Sequence, residues 1–89
     1  MYVEIGLNLS VREDQILGVF DLDNTSWSKH TRRFLKAAED AGEIVEATDT
    51  LPKSFVLTRQ YGQNRVFLTK SNSAVLQKKI SHEEELQKN

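Results

Sequence analysis

A chain of 89 residues, 38% of them hydrophobic, has room for one domain with one core and none for a second. Cysteine is absent, which excludes a disulfide framework, a thiolate metal site and a cysteine nucleophile. The net charge of −1 conceals a segregation: residues 1–23 set five acids against Arg12, whereas residues 53–79 hold six basic residues and no acid.

In chain order, residues 2–5 alternate as a short strand ended by Gly6, and Leu7, Leu9 and Val11 alternate again with Asn8, Ser10 and Arg12. Arg12, Glu13 and Asp14 form a polar turn. Residues 15–22 (QILGVFDL) are an apolar run of strand length, buried on both faces or on one face with the other in an interface. Gly18 in its middle suggests a bulge or a close backbone approach.

Residues 26–41 (SWSKHTRRFLKAAEDA) show the clearest periodicity in the chain. Trp27, Thr31, Phe34, Leu35, Ala38 and Ala41 share one helical stripe, and Lys29, Arg32, Arg33 and Lys36 share another. Asp23, Asn24, Thr25 and Ser26 supply N-cap residues, and Gly42 stands where a left-handed C-cap is expected. Residues 43–47 read as a short strand and 48–52 as a loop holding the only proline. Residues 53–59 and 65–70 read as a hairpin joined through residues 60–64.

Ser71, Asn72 and Ser73 offer a cap for a final helix of about two turns on Ala74, Val75, Leu76 and Ile80, and residues 81–89 read as a charged, disordered tail. The pattern predicts one α+β domain over residues 1–80: a small, mostly antiparallel sheet, one central amphipathic helix and a short C-terminal helix. Exposed sheet edges then need a partner or protective charges. The modest apolar content likewise leaves surface for partner subunits, so self-association is expected. Neither a membrane-length apolar run nor a signal-peptide pattern occurs, and a cytoplasmic protein with no membrane partner is expected.

Catalytic signals are weak. Residues 21–25 (DLDNT) after an apolar strand resemble the first motif of haloacid-dehalogenase-type phosphatases. Those enzymes also need a distal acidic pair, and no acid occurs between Asp49 and Glu83. His30 and His82 stand far apart, outside the spacing that puts two imidazoles on one helical face, and the glycines are too dispersed to cradle a phosphate. No enzyme activity, cofactor, metal or small-molecule substrate is expected. What remains is binding: Lys29, Arg32, Arg33 and Lys36 on a helix, with Lys53, Arg59 and Arg65 from the acid-free region, suit contacts to the phosphates of duplex DNA. The same basic third could instead meet the acidic third of a neighbouring copy. Trp27 and Tyr61 could stack on bases or serve as a core and a turn residue.

The N-terminal MYVEIG, the apolar QILGVFDL, a helix ending in Ala-Gly, then Glu-Ala-Thr, the turn TLPKS and the strand SFVLT together resemble the RemA/RemB family of biofilm-matrix regulators, RemB more closely. The likeness spans about residues 1–80. It implies a small bacterial cytoplasmic protein, a fold related to the LytTR DNA-binding domain, assembly into rings, and DNA binding that activates extracellular-matrix genes. The RemA branch has an arginine at the start of the apolar strand and an Arg-Arg pair in the loop after its Ala-Thr. Gln15, Leu51 and Pro52 stand there in this chain, so those contacts do not carry over. Two functions follow: an oligomeric, DNA-binding transcriptional regulator of matrix genes, or a ring-forming interaction protein that binds no DNA.

Overall fold

Backbone pairing of the alternating segments builds two sheets. The computed structural model describes residues 1–22 and 29–88, with side chains described up to residue 80. Strands β1 (Tyr2–Gly6) and β2 (Leu9–Arg12) form an antiparallel hairpin, and a 3-10 turn (Glu13–Gln15) leads into β3 (Ile16–Asp21). Helix α1 (Lys29–Asp40) follows, then β4 (Ile44–Ala47), β5 (Ser54–Gln60), β6 (Gln63–Thr69) and α2 (Ser73–Lys88). The larger sheet has the order β3-β5-β6-β4, with β4 parallel to β6 and the other neighbours antiparallel.

Alternation along β5 and β6 gives this sheet two apolar faces. Val56 and Phe67, paired across the strands, face the small hairpin and α2, where Val3, Ile5, Val11, Ala47 and Leu76 close one core. Phe55 and Val66 point the other way, into a second core with Leu22 and Ala38, against which Leu35 and Ile44 pack. The sheet, and not a helix, is therefore the central layer. The expectation of a central helix is corrected: α1 covers one face, because only the narrow stripe of Thr31, Leu35 and Ala38 is turned from solvent. Ala41, expected on that stripe, is exposed just past the helix end. Trp27 and the cap residues Asp23, Asn24, Thr25 and Ser26 lie outside the described residues.

Gly42 stops α1 as the sequence predicts. At φ +72° it lets its own N–H bond the Glu39 carbonyl at 3.0 Å and the Glu43 N–H bond the Ala38 carbonyl at 2.9 Å, the two bonds of a Schellman motif. Gly18 sits at a register shift in β3, the bulge expected there, and a Cβ on it would come within 2.8 Å of the Phe20 ring.

Two boundaries differ from expectation. The β5–β6 connection is a two-residue turn, Tyr61-Gly62, with both φ values positive, so pairing continues to Gln60 and Gln63 where a five-residue loop was expected. Helix α2 has 16 residues, more than two turns, and is longer than the 12-residue α1. Its start matches expectation, with the Asn72 side-chain oxygen accepting the Val75 N–H at 2.8 Å. Beyond Ile80 the sequence is rich in Glu, Leu, Gln and Lys, residues of high helix propensity, and the helix runs on to Lys88.

Gly6 is where the small hairpin meets the main sheet. Its φ is +139°, and a Cβ there would stand 2.3 Å from the Ala47 carbonyl oxygen, so an added methyl collides with backbone. Gly6→Ala is expected to cost about 3 kcal/mol in urea unfolding, combining strain and overpacking. Gly42→Ala, with no atom within 4 Å of the new methyl, should cost only about 1 kcal/mol from its left-handed φ. Equal losses for the two would contradict this account of Gly6.

Candidate nucleic-acid interface

Helix periodicity gathers four of the seven cations singled out from the sequence. Lys29, Arg32, Arg33 and Lys36 are all exposed, and their spacing of three and four residues puts them on one side of α1, away from the Leu35 and Ala38 side that packs on the sheet. The other three do not converge. Lys53 immediately precedes β5 and Arg59 lies near its far end, roughly 20 Å away at strand rise. Arg59 pairs with Asn64, and Arg65 pairs with Thr58, so the two arginines project from opposite faces. Lys53 is tied down by its backbone, donating to the Thr69 carbonyl at 2.9 Å and accepting from the Leu22 N–H at 2.7 Å. Its side chain is exposed.

The charges of α1 run against its dipole. The first described turn holds Lys29 and Arg32 and no acid, while the helix ends in Glu39 and Asp40 with no basic residue in its last turn. Each arrangement opposes the helix macrodipole, which favours acids at the start and bases at the end. The four cations also form like-charge pairs at spacings of three and four residues, each unfavourable by a few tenths of a kcal/mol. The positive potential of the stripe and the positive end of the dipole therefore add.

Beside this stripe lies an aromatic cluster. The Phe20 ring stacks on Phe55 with centroids 4.9 Å apart, and Phe34 stacks on Phe55 at 5.9 Å. Phe20 is 45% and Phe34 37% exposed, and with His30, Thr31 and Leu57 they line a groove of about 230 Å³. Sequence reading missed this cluster because it depends on the pairing of Phe20 with Phe55, which strand alternation does not specify. Phe20 and Leu17, both exposed, lie on β3, an edge strand of the larger sheet.

Two exposed loop tips complete the candidate surfaces. Tyr61 is 94% exposed at the β5–β6 turn, so it is a turn residue with its ring free to stack on another group. Leu51, 87% exposed, sits in the loop before β5 beside the half-buried Pro52, so at this place the chain presents an apolar side chain and no cation. Gln15 ends the 3-10 turn at the start of β3. Among the described residues no group of three His, Asp or Glu is placed to hold a metal ion, and no helix is long and apolar enough to cross a membrane. The DLDNT stretch lies partly outside the described residues.

Neutralising the stripe should therefore stabilise the fold. The variant K29Q/R32Q/R33Q/K36Q is expected to gain on the order of 1 kcal/mol in urea unfolding at low salt, with the gain shrinking at high salt. A clear loss of stability at low salt would show that these side chains support the helix.

Comparison with known proteins adds one finding. A family model described as RemA-like, extracellular matrix regulatory protein A-like, matches residues 2–80, and no curated protein matches the chain. The match runs from β1 into α2 and takes in both faces of the sheet and the whole of α1. The chain belongs to the RemA-like family of extracellular matrix regulatory proteins.

Proposed function

We propose that this matrix regulator acts by binding duplex DNA through the exposed cations of α1, repeated by self-assembly into a LytTR-like ring. The observation that carries the reading is the placement of Lys29, Arg32, Arg33 and Lys36 on one exposed side of a helix, the first two in its first described turn, where they oppose the dipole. An arrangement that weakens the helix and concentrates positive potential is one suited to a polyanion. Four cations on one subunit give modest, sequence-independent affinity. Several copies along one duplex raise it by effective concentration. Lys53, Arg59 and Arg65 project from separate places and would contribute singly.

Self-assembly is supported by the apolar side chains exposed on edge strand β3, Leu17 and Phe20, with Phe34 beside them. Strand edges of this kind pair with or pack against another chain unless something protects them. The absence of arginine at residues 15, 51 and 52 favours a RemB-like member whose contacts to DNA come from other cations. The same β3 edge also suits a ring-forming regulator that meets proteins only.

Two measurements separate these readings. Fluorescence anisotropy with a labelled duplex should show binding that weakens steeply with salt. In K29Q/R32Q/R33Q/K36Q the log-log salt slope should become shallower by up to roughly 3.6 for each copy in contact. A duplex left unbound at low salt would defeat the DNA reading and leave the protein-only regulator. Light scattering on the purified protein should give the mass of several chains, and a monomer would contradict assembly.

A further inference from the structure

On the side of the sheet opposite α1, the β1–β2 hairpin and the tip of β5–β6 enclose a recess of about 160 Å³. Arg12 and Arg65 both line it, together with Gln15, Gln60, Ser10 and Tyr2, over a floor that includes Val11 and Phe67. Arg12 belongs to the acidic N-terminal third of the sequence and Arg65 to the basic third, so only folding brings the two residues to the wall of one recess. Two arginines, two amides and the hydroxyls of Tyr2 and Ser10 can donate hydrogen bonds there, while the Thr58 hydroxyl, also in the wall, already donates to the Arg65 carbonyl at 3.4 Å. Guanidinium geometry matches a tetrahedral oxyanion in a two-pronged fashion.

We infer that this recess is a phosphate seat, in which Arg12 and Arg65 hold the oxygens of a phosphate group while the amides of Gln15 and Gln60 orient it. Asp14 is the built-in competitor. Its Oδ2 accepts a hydrogen bond from an Arg12 terminal nitrogen at 2.8 Å, with the two side chains 63% and 50% exposed. An exposed pair of this kind is weak, and it occupies only part of a five-donor group, so an arriving phosphate displaces Asp14 or shares Arg12 with it. The seat goes beyond the DNA reading, since it lies on the other face of the sheet from the α1 cations. Its occupant is either a backbone phosphate of a nucleic acid or a free phosphate compound.

The test is a titration of the isotope-labelled full chain, followed by NMR at the Arg12 and Arg65 Nε–H groups and the Gln15 and Gln60 side-chain amides. Inorganic phosphate is the first ligand and a short duplex the second. Saturable shifts at these four residues with inorganic phosphate are expected. Asp14→Asn should tighten binding about two- to fivefold by releasing Arg12. Asp49→Asn, an equal change of charge in the loop after β4, should leave it unaltered. Arg65→Gln should remove saturation, and a retained spectrum elsewhere shows that the variant is folded. If the duplex produces the same shifts and inorganic phosphate reverses them, the occupant is a nucleic-acid phosphate. If only inorganic phosphate saturates, it is a free phosphate compound. Linear, unsaturable shifts with both ligands, or equal tightening by Asp14→Asn and Asp49→Asn, would overturn the seat and leave the reading of α1 standing.

Discussion

Thr69 is the point on which the arrangement of layers depends. It is fully buried and stands at the end of β6, between Ser54 of β5 and Ala47 of β4. Its hydroxyl donates to the Ile5 carbonyl of the small hairpin and accepts the Ser71 N–H at 3.1 Å, and its own carbonyl accepts the Lys53 N–H. One side chain thereby links the hairpin to the sheet and fixes the turn into α2. A buried hydroxyl that satisfies two backbone groups is costly to remove, because both are left without partners away from water. Gly6 lets the hairpin come this close at one end, and at the other the same hairpin lies along the β5–β6 tip.

With the hairpin and α2 committed to one face, α1 has the other face to itself, and its packing asks little of it. Thr31, Leu35 and Ala38 face the sheet, with the half-exposed Phe34 stacked on Phe55 beside them, and the rest of the helix circumference is left to water. Among the described residues that surface carries cations in the first turn and acids in the last, an order unfavourable to the helix dipole. Packing of Leu35 and Ala38 against Phe55 and Val66 offsets this cost, since helices in proteins draw their stability mainly from tertiary contacts. The two faces thus divide the labour: Thr69 and the hairpin core hold the fold, and α1 presents cations.

Much of the fold was legible in the sequence. Alternation marked the strands, the 3.6-residue period marked α1, Gly42 marked its end, and Gly18 marked the irregularity in β3. Partnership was not legible: that α1 carries the chain from edge strand β3 across the sheet to a β4 parallel with β6 follows from long-range packing, to which local patterns are blind. The tight turn escaped notice because Tyr61 adopts a positive φ, a conformation disfavoured for a bulky residue, and turn signals are read from Gly and Asn. For the candidate site, helical spacing sufficed to group Lys29, Arg32, Arg33 and Lys36. The run of basic residues from Lys53 onward suggested a patch that strand alternation then splits between two faces and two ends. Arg12 was hidden for the opposite reason, as a lone cation among acids.

The central claim is that the outer side of α1 meets a polyanion. Backbone amide shifts of the isotope-labelled protein, recorded as a short duplex is added at low salt, test it most directly. The account predicts that the largest changes on the α1 side of the sheet fall within residues 29–36 and fade as salt is raised. Changes confined to the β3 edge or the Leu51 loop, with residues 29–36 unmoved, would contradict it.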